Sequence, residues 1–169
     1  MFGFFDKKFE IKGQIGYLDL QDWWLSTFTQ DERDHIENIY QPFGLEPNSR
    51  PLTCGEISWT SQTPAALLHT LSGWFNNPKD RKIAKKIIEK ANELASNGED
   101  ILDRHFTLQQ TMQIYYPERE VSTEAMERAV WACREQITLA PKASKVFLKE
   151  YPEQALPGHA GYSQLRIVL

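Results

Sequence analysis

Residues 100–151 read DILDRHFTLQQTMQIYYPEREVSTEAMERAVWACREQITLAPKASKVFLKEY. Ile101, His105, Leu108, Met112 and Tyr115 recur at spacings of three and four. So do Met126, Ala129, Val130, Cys133 and Ile137, and then Ala143, Val146, Phe147 and Tyr151. That spacing puts each set on one face of a helix. The stretch therefore predicts three helices in succession, the third opening at Pro141, each with a face to bury against a neighbour.

Upstream, Thr63-Pro64 pairs an N-cap hydroxyl with proline at the first helical position. It predicts a helix whose Leu67, Leu68, Leu71, Trp74 and Phe75 share a face. Asn77-Pro78 repeats the device and opens a helix to about Asn97. There Ala84, Ile87, Ile88, Ala91, Leu94 and Ala95 point inward, and Gly98 is expected to supply a left-handed stop. Earlier still, Leu20, Trp23, Trp24 and Phe28 repeat helically, and Thr29 with Glu32 has the form of a capping box. A helix to about Tyr40 is expected to follow. Residues 42–62 are rich in Pro, Gly and hydroxyl side chains, a loop of roughly twenty residues, a length usual only for functional or disordered segments. Trp59 is expected to pin its far end. Phe2, Phe5 and Phe9 fit a helical face, while Phe9 to Lys12 alternates like a short strand, so residues 1–17 stay undecided between the two.

Helix starts near Pro64, Asp100 and Pro141 recur at roughly 40 residues, a period typical of stacked helical hairpins. Leu108, Met112 and Tyr115 in a first helix, alanines in a second, Pro141 after it, and Tyr162, Leu165 and Leu169 beyond resemble a degenerate tetratricopeptide repeat over residues 64–169. The pattern departs from that family at the turn between Tyr116 and Ser122, which is long and lacks glycine. The whole chain, through Asp22 to Ser26, Arg50 to Thr53 and Gly73 to Phe75, also resembles a family of uncharacterised bacterial helical proteins, which carries no activity over. The expected fold is all-α: stacked antiparallel hairpins in a tetratricopeptide-like, right-handed superhelical arrangement. Residues 1–62 would form N-terminal helices and a long loop, and residues 64–169 the hairpin repeats of one domain.

The 169 residues, 19.6 kDa, suit one well-buried core, and 41% hydrophobic with 25% charged residues is an ordinary globular composition. A formal net charge of -4 and a pI of about 5.6 give no global attraction to phosphate backbones or anionic membranes. No run reaches the length of a membrane span, so a cytoplasmic, non-membrane protein is expected. Cys54 and Cys133 belong to no C-x-x-C pair, and His35, His69, His105 and His159 stand in separate segments without metal-ligand spacing. Neither a Gly-rich phosphate loop nor a nucleophile elbow is present. The sequence thus points to no catalytic residue, no metal and no cofactor.

Two surfaces remain as candidates. Phe106, Gln109, Gln113 and Tyr116 lie beside the buried stripe of the first helix. The tetratricopeptide resemblance implies that this face lines a concave groove for a partner's peptide. Glutamine amides can both donate to and accept from peptide backbone. Lys79, Lys82, Lys85, Lys86 and Lys90, with Arg81, crowd the outer face of another helix, a possible track for nucleic acid or, more simply, a solvated face interleaved with Glu89 and Glu93. The expected partner is a protein or peptide. The terminal stripe of Tyr162, Leu165, Val168 and Leu169, opened by Pro157-Gly158, is expected to pack back on the preceding helix or to form a homodimer.

Overall fold

A computed structural model of the chain describes residues 10–168, the side chain of Val168 excepted. The expectations for Phe2, Phe5, Phe9 and Leu169, and for the Val168 side chain, fall outside what is described. Among the described residues the regular structure is helical, with no strand: α1 (Gly13–Tyr17), α2 (Gln21–Thr27), α3 (Gln30–Ile39), α4 (Pro64–Gly73), α5 (Arg81–Asn97), α6 (Ile101–Tyr115), a 3₁₀ turn (Tyr116–Glu118), α7 (Thr123–Glu150) and α8 (Ala160–Val168). The chain divides into two compact units, the first ending at Ser61 and the second running from Gln62 to Leu169.

In the first unit the helical repeat of Leu20, Trp23, Trp24 and Phe28 falls on α2 and its two flanking residues, and Asp19, whose φ is 56°, separates it from α1. Leu20, Trp24 and Phe28 line one buried face. The capping box is formed: Thr29 Oγ1 accepts from the Glu32 amide at 3.2 Å, and Glu32 accepts from the Thr29 amide at 2.9 Å. The long loop is anchored by Leu52, which is fully buried; Trp59 is 75% exposed and does not pin it. What holds the loop is α1. The amides of Gly13, Gln14 and Ile15 donate to the carbonyls of Gly55, Pro51 and Leu52 at 2.8–3.0 Å. Only glycine fits at position 13, because φ is +60° and a Cβ would stand 2.6 Å from the Pro51 carbonyl oxygen. Glu37, 1% exposed, ties α3 to the same loop by accepting from the Thr53 hydroxyl.

In the second unit α6 packs against α4, α5, α7 and α8. It is buried around most of its circumference, so Thr107 and Thr111 are as buried as Leu108 and Met112. Toward α5, Asn92 Nδ2 donates to Thr111 Oγ1 at 2.9 Å, and Thr111 Oγ1 donates to the Thr107 carbonyl at 2.8 Å. Asp100 caps α6 at the expected start, and Ser122 caps α7. Gly98 ends α5 in extended geometry (φ −84°, ψ 164°), not the left-handed one expected. The next helix begins within three residues, and an extended residue reaches it directly. Trp74, expected inward, is exposed.

The main correction concerns Pro141. It opens no helix, and α7 runs through it for 28 residues. A proline inside a helix removes one backbone hydrogen bond and crowds the carbonyl four residues before it. Tertiary packing overrides that cost, because Leu139 and Ala143 on either side are both buried against α6 and Val146 and Phe147 continue the contact. The buried face of α7 is also rotated from the expected one. Ala125, Ala129, Ala132, Cys133 and Gln136 face inward, while Met126, Val130 and Ile137 are only partly buried.

Two stability tests follow from these helices. Pro141 is exposed, so Pro141→Ala restores a helical hydrogen bond with no loss of packing and is expected to stabilise the second unit by about 1–3 kcal/mol in denaturant titration. Burial raises the Glu37 carboxyl above its ordinary 4.5, although the Thr53 hydroxyl and Arg50 act to lower it. The folded first unit therefore keeps a proton that the unfolded chain has released. Its stability falls as pH rises from 4.5 toward the raised value. Glu37→Gln should thus gain stability relative to the parent as pH rises from 4.5 to 7, measured by denaturation at both pH values. A gap independent of pH would refute it.

Candidate functional site

The close approach of α7 to α6, permitted by Ala125, Ala129 and Ala132, leaves a groove along one side of the pair, and α8 lies in it. Ala160 and Leu165 of α8 pack against the cluster of Leu108, Met112 and Cys133, while Tyr162 and Ile167 face outward. Gly161 is buried at the point of closest approach. A Cβ there would stand 2.9 Å from Gln136 Oε1 and 3.0 Å from the Cys133 carbonyl oxygen. This helix thus packs back on its own chain; of the expected stripe Leu165 faces the cluster, whereas Tyr162 is exposed and Ala160 and Gly161 take inner positions.

One side chain joins the three helices. Gln136, fully buried on α7, accepts from the Gly161 amide at 2.7 Å and donates to the His105 carbonyl at 3.3 Å. Its Nε2 is also 3.4 Å from His105 Nε2. Since an amide nitrogen can only donate, that contact makes His105 Nε2 the acceptor and puts the proton of the neutral ring on Nδ1. His159 precedes α8 and its Nδ1 accepts from the Tyr162 amide at 3.4 Å, which puts the proton of a neutral ring on Nε2. Both of those protonated positions, His105 Nδ1 and His159 Nε2, are buried without a partner.

These imidazoles belong to a longer row. His69 on α4 stacks on Phe106, Phe106 meets His105 edge-on, His105 meets His159 edge-on at 5.5 Å, and His159 lies 4.7 Å from the Tyr162 ring. Three of the four histidines, scattered along the sequence, come together here. Burial pushes His69 down to about 4, and burial together with the His159 ring lowers His105. His69 and His105 are therefore neutral near pH 7.

Hollows open on both sides of the start of α8. The first, about 280 Å³, is lined by Leu102, Phe106, Phe147 and Leu156 together with His105 and His159. The second, about 320 Å³, lies between Asn76, Gln109, Gln113 and Tyr116 on one side and Ala160 and Gln164 of α8 on the other. The four groove residues expected from the sequence are therefore divided. Gln109, Gln113 and Tyr116 share the second hollow, and Phe106 lines the first. The Arg119 guanidinium covers the Tyr116 ring at 3.9 Å, and Asn76 Nδ2 donates to the Gln113 carbonyl at 3.0 Å.

The basic helix is less free than its sequence suggests. Lys85 pairs with Glu118, which Arg81 also approaches at 3.6 Å, and Lys90 pairs with Glu93 at 2.7 Å. Arg81 is buried and not on the outer face. Lys79 and Lys82 are exposed, Lys86 partly so. Glu89, expected as a solvated spacer, accepts from Tyr115 at 2.9 Å and from Arg128 at 3.0 Å, which locks α5 to α6 and α7.

Among the described residues no group of three or more His, Cys, Asp or Glu side chains is placed to hold a metal ion, and no helix is long and apolar enough to cross a membrane. Comparison with known proteins finds nothing similar: no family model, curated protein or solved structure matches the chain.

A group lowered in the folded state binds its proton later than in the unfolded chain, so the stability it supports is lost as pH falls through the interval. For His69 that interval runs from 6.5 down to about 4. His69→Leu is expected to lose markedly less stability than the parent between pH 6.5 and 4 in denaturant titrations. Equal losses would place the acid sensitivity elsewhere.

Proposed function

We propose that this chain is a non-catalytic protein-binding module that takes a short amphipathic helix of a protein partner in the groove between α6 and α7. The observation that carries the reading is the seating of α8. A nine-residue helix, tethered by the exposed linker 151–158, occupies the groove as a ligand helix would. It places a glycine at the narrowest point, an aliphatic side chain four residues later, and the Gln164 amide at the second hollow opposite Gln109 and Gln113 of α6. Recognition of this kind reads apolar anchors at helical spacing. The partner's helix is expected to carry a small residue where Gly161 stands and an aliphatic one where Leu165 stands, and to displace α8. This use of the first-helix face is what the tetratricopeptide resemblance implies, and it does not require stacked repeats. The nucleic-acid reading draws less support, because Lys85 and Lys90 are engaged by Glu118 and Glu93.

A tethered α8 competes with an added peptide at an effective concentration on the order of millimolar. Gly161→Val, whose side chain cannot fit against Gln136 and Cys133, should empty the groove. A labelled peptide spanning residues 155–167 is then expected to bind the Gly161→Val chain at least tenfold more tightly than the parent, read by fluorescence anisotropy. The same peptide with valine at 161 should bind neither. Equal binding to both chains, or binding to none, would remove the groove as a helix receptor.

A further inference from the structure

We propose that the His105–His159 pair is an acid-sensitive latch on α8: with both rings neutral it holds the helix in the α6–α7 groove, and proton uptake releases the helix while α4 to α7 stay folded.

The first-turn amides of α8 show why. Gly161 donates to Gln136 and Tyr162 to His159 Nδ1, while the His159 carbonyl accepts from Ser163 at 3.4 Å, so His159 stands as the N-cap of the helix. An N-cap works only as an acceptor. Proton uptake at His159 Nδ1 abolishes that bond. It also puts a cation at the helix N-terminus, where the helix dipole is already positive. Proton uptake at His105 acts on the other bond: Nε2 can no longer accept from Gln136, the residue that holds the Gly161 amide. A proton on His159 therefore removes an attachment of α8 directly, and one on His105 removes one of the two contacts that position Gln136 for the Gly161 amide. Both together set two cations in rings whose centroids are 5.5 Å apart.

Among the described residues lining the pair, no carboxylate offsets these charges. From α6 and α7 the neighbours are Leu102, Phe106, Ala140, Pro141 and Ser144, from the linker Pro157, and from α8 the Tyr162 phenol. The third imidazole, His69 on α4, is separated from His105 by the Phe106 ring. The charged residues next in sequence are already engaged. Arg104 pairs with Glu135 at 2.9 Å, and Asp103 accepts from the Thr63 hydroxyl. Arg166, in the last turn of α8, is exposed and of the wrong sign to help. Burial and the neighbouring ring already lower His105, so the docked state resists its protonation and is lost as pH falls below the ordinary 6.5.

The inference rests on the proposed function only for what enters the vacated groove, because release of α8 is read on the free chain. The full-length protein, ¹⁵N-labelled, is titrated from pH 7 to pH 5. The amide resonances of residues 160–167 and their heteronuclear NOEs report α8, and far-ultraviolet circular dichroism with the amides of α4 to α6 reports the rest. The parent is expected to lose α8 order in one transition, with the docked population falling at least tenfold, while the other helices persist. His159→Asn keeps an N-cap acceptor that cannot be protonated; it should stay docked at pH values where the parent has released. An α8 that remains ordered to pH 5 in the parent would overturn the latch. So would release at the same pH in His159→Asn, or loss of α8 only together with α4 to α6. Success here with failure of the peptide titration would leave the latch standing and remove the helix-receptor reading.

Discussion

Everything in the second unit depends on α6 being packed against helices on several sides at once. A helix in that position cannot be strongly amphipathic, and its polar side chains must find partners inside the protein or cost about 1–3 kcal/mol each. The Asn92–Thr111 bond, with Thr111 donating on to the Thr107 carbonyl, meets that requirement toward α5, and Gln136 binds the His105 carbonyl toward the groove, while Thr107 Oγ1 and His105 Nδ1 are left without partners. The alanines of α7 meet the steric side of it. Larger residues at 125, 129 and 132 would hold α7 away from α6, and Gln136 would no longer span from the His105 carbonyl to the Gly161 amide.

The legible parts of the fold were those decided by local chemistry. Thr29 with Glu32, Thr63 with Pro64, Asp100 and Ser122 are caps whose hydrogen bonds lie within three residues, so the sequence alone locates them. Pro141 shows the limit of that logic. Its local preference is to start a helix, but Leu139 and Ala143 continue one buried face across it, and packing outweighs a single lost hydrogen bond. The tryptophans mislead for a related reason. Residue type does not reveal which face of a helix or loop meets the core, and Trp24 is buried while Trp59 and Trp74 are exposed.

The candidate site was legible only in part, because its members come from four segments. Gln109, Gln113 and Tyr116 share a helix face, and helical spacing brings them together whatever the tertiary fold. His69, His105 and His159 carry no mutual spacing, and only the packing of α4, α6 and the linker against one another aligns them. Histidine is also outside the usual set of capping residues, so nothing in Pro157-Gly158-His159 marks position 159 as the cap of α8. Gln136 was hidden differently: it lies on a stripe of alanines and a cysteine, where a polar residue reads as an interruption and is in fact the buried bridge.

The exchangeability of α8 follows from its length and its few attachments. A nine-residue helix is too short to persist alone in water. Undocking and unraveling are therefore one event. The helix is held by the Gly161 and Tyr162 amide bonds, each worth on the order of 1 kcal/mol, and by the partial burial of Ala160 and Leu165. Tyr162 and Ile167 contribute little, since both are largely exposed. α6 and α7, by contrast, share an extensive apolar interface and the Glu89 network with α5. Segments with so few contacts open well before the body they rest on. At α8 the loss of one hydrogen bond is a large fraction of what holds the element, whereas the same loss within α6 or α7 is a small one. A proton on His159 changes an interaction of that size.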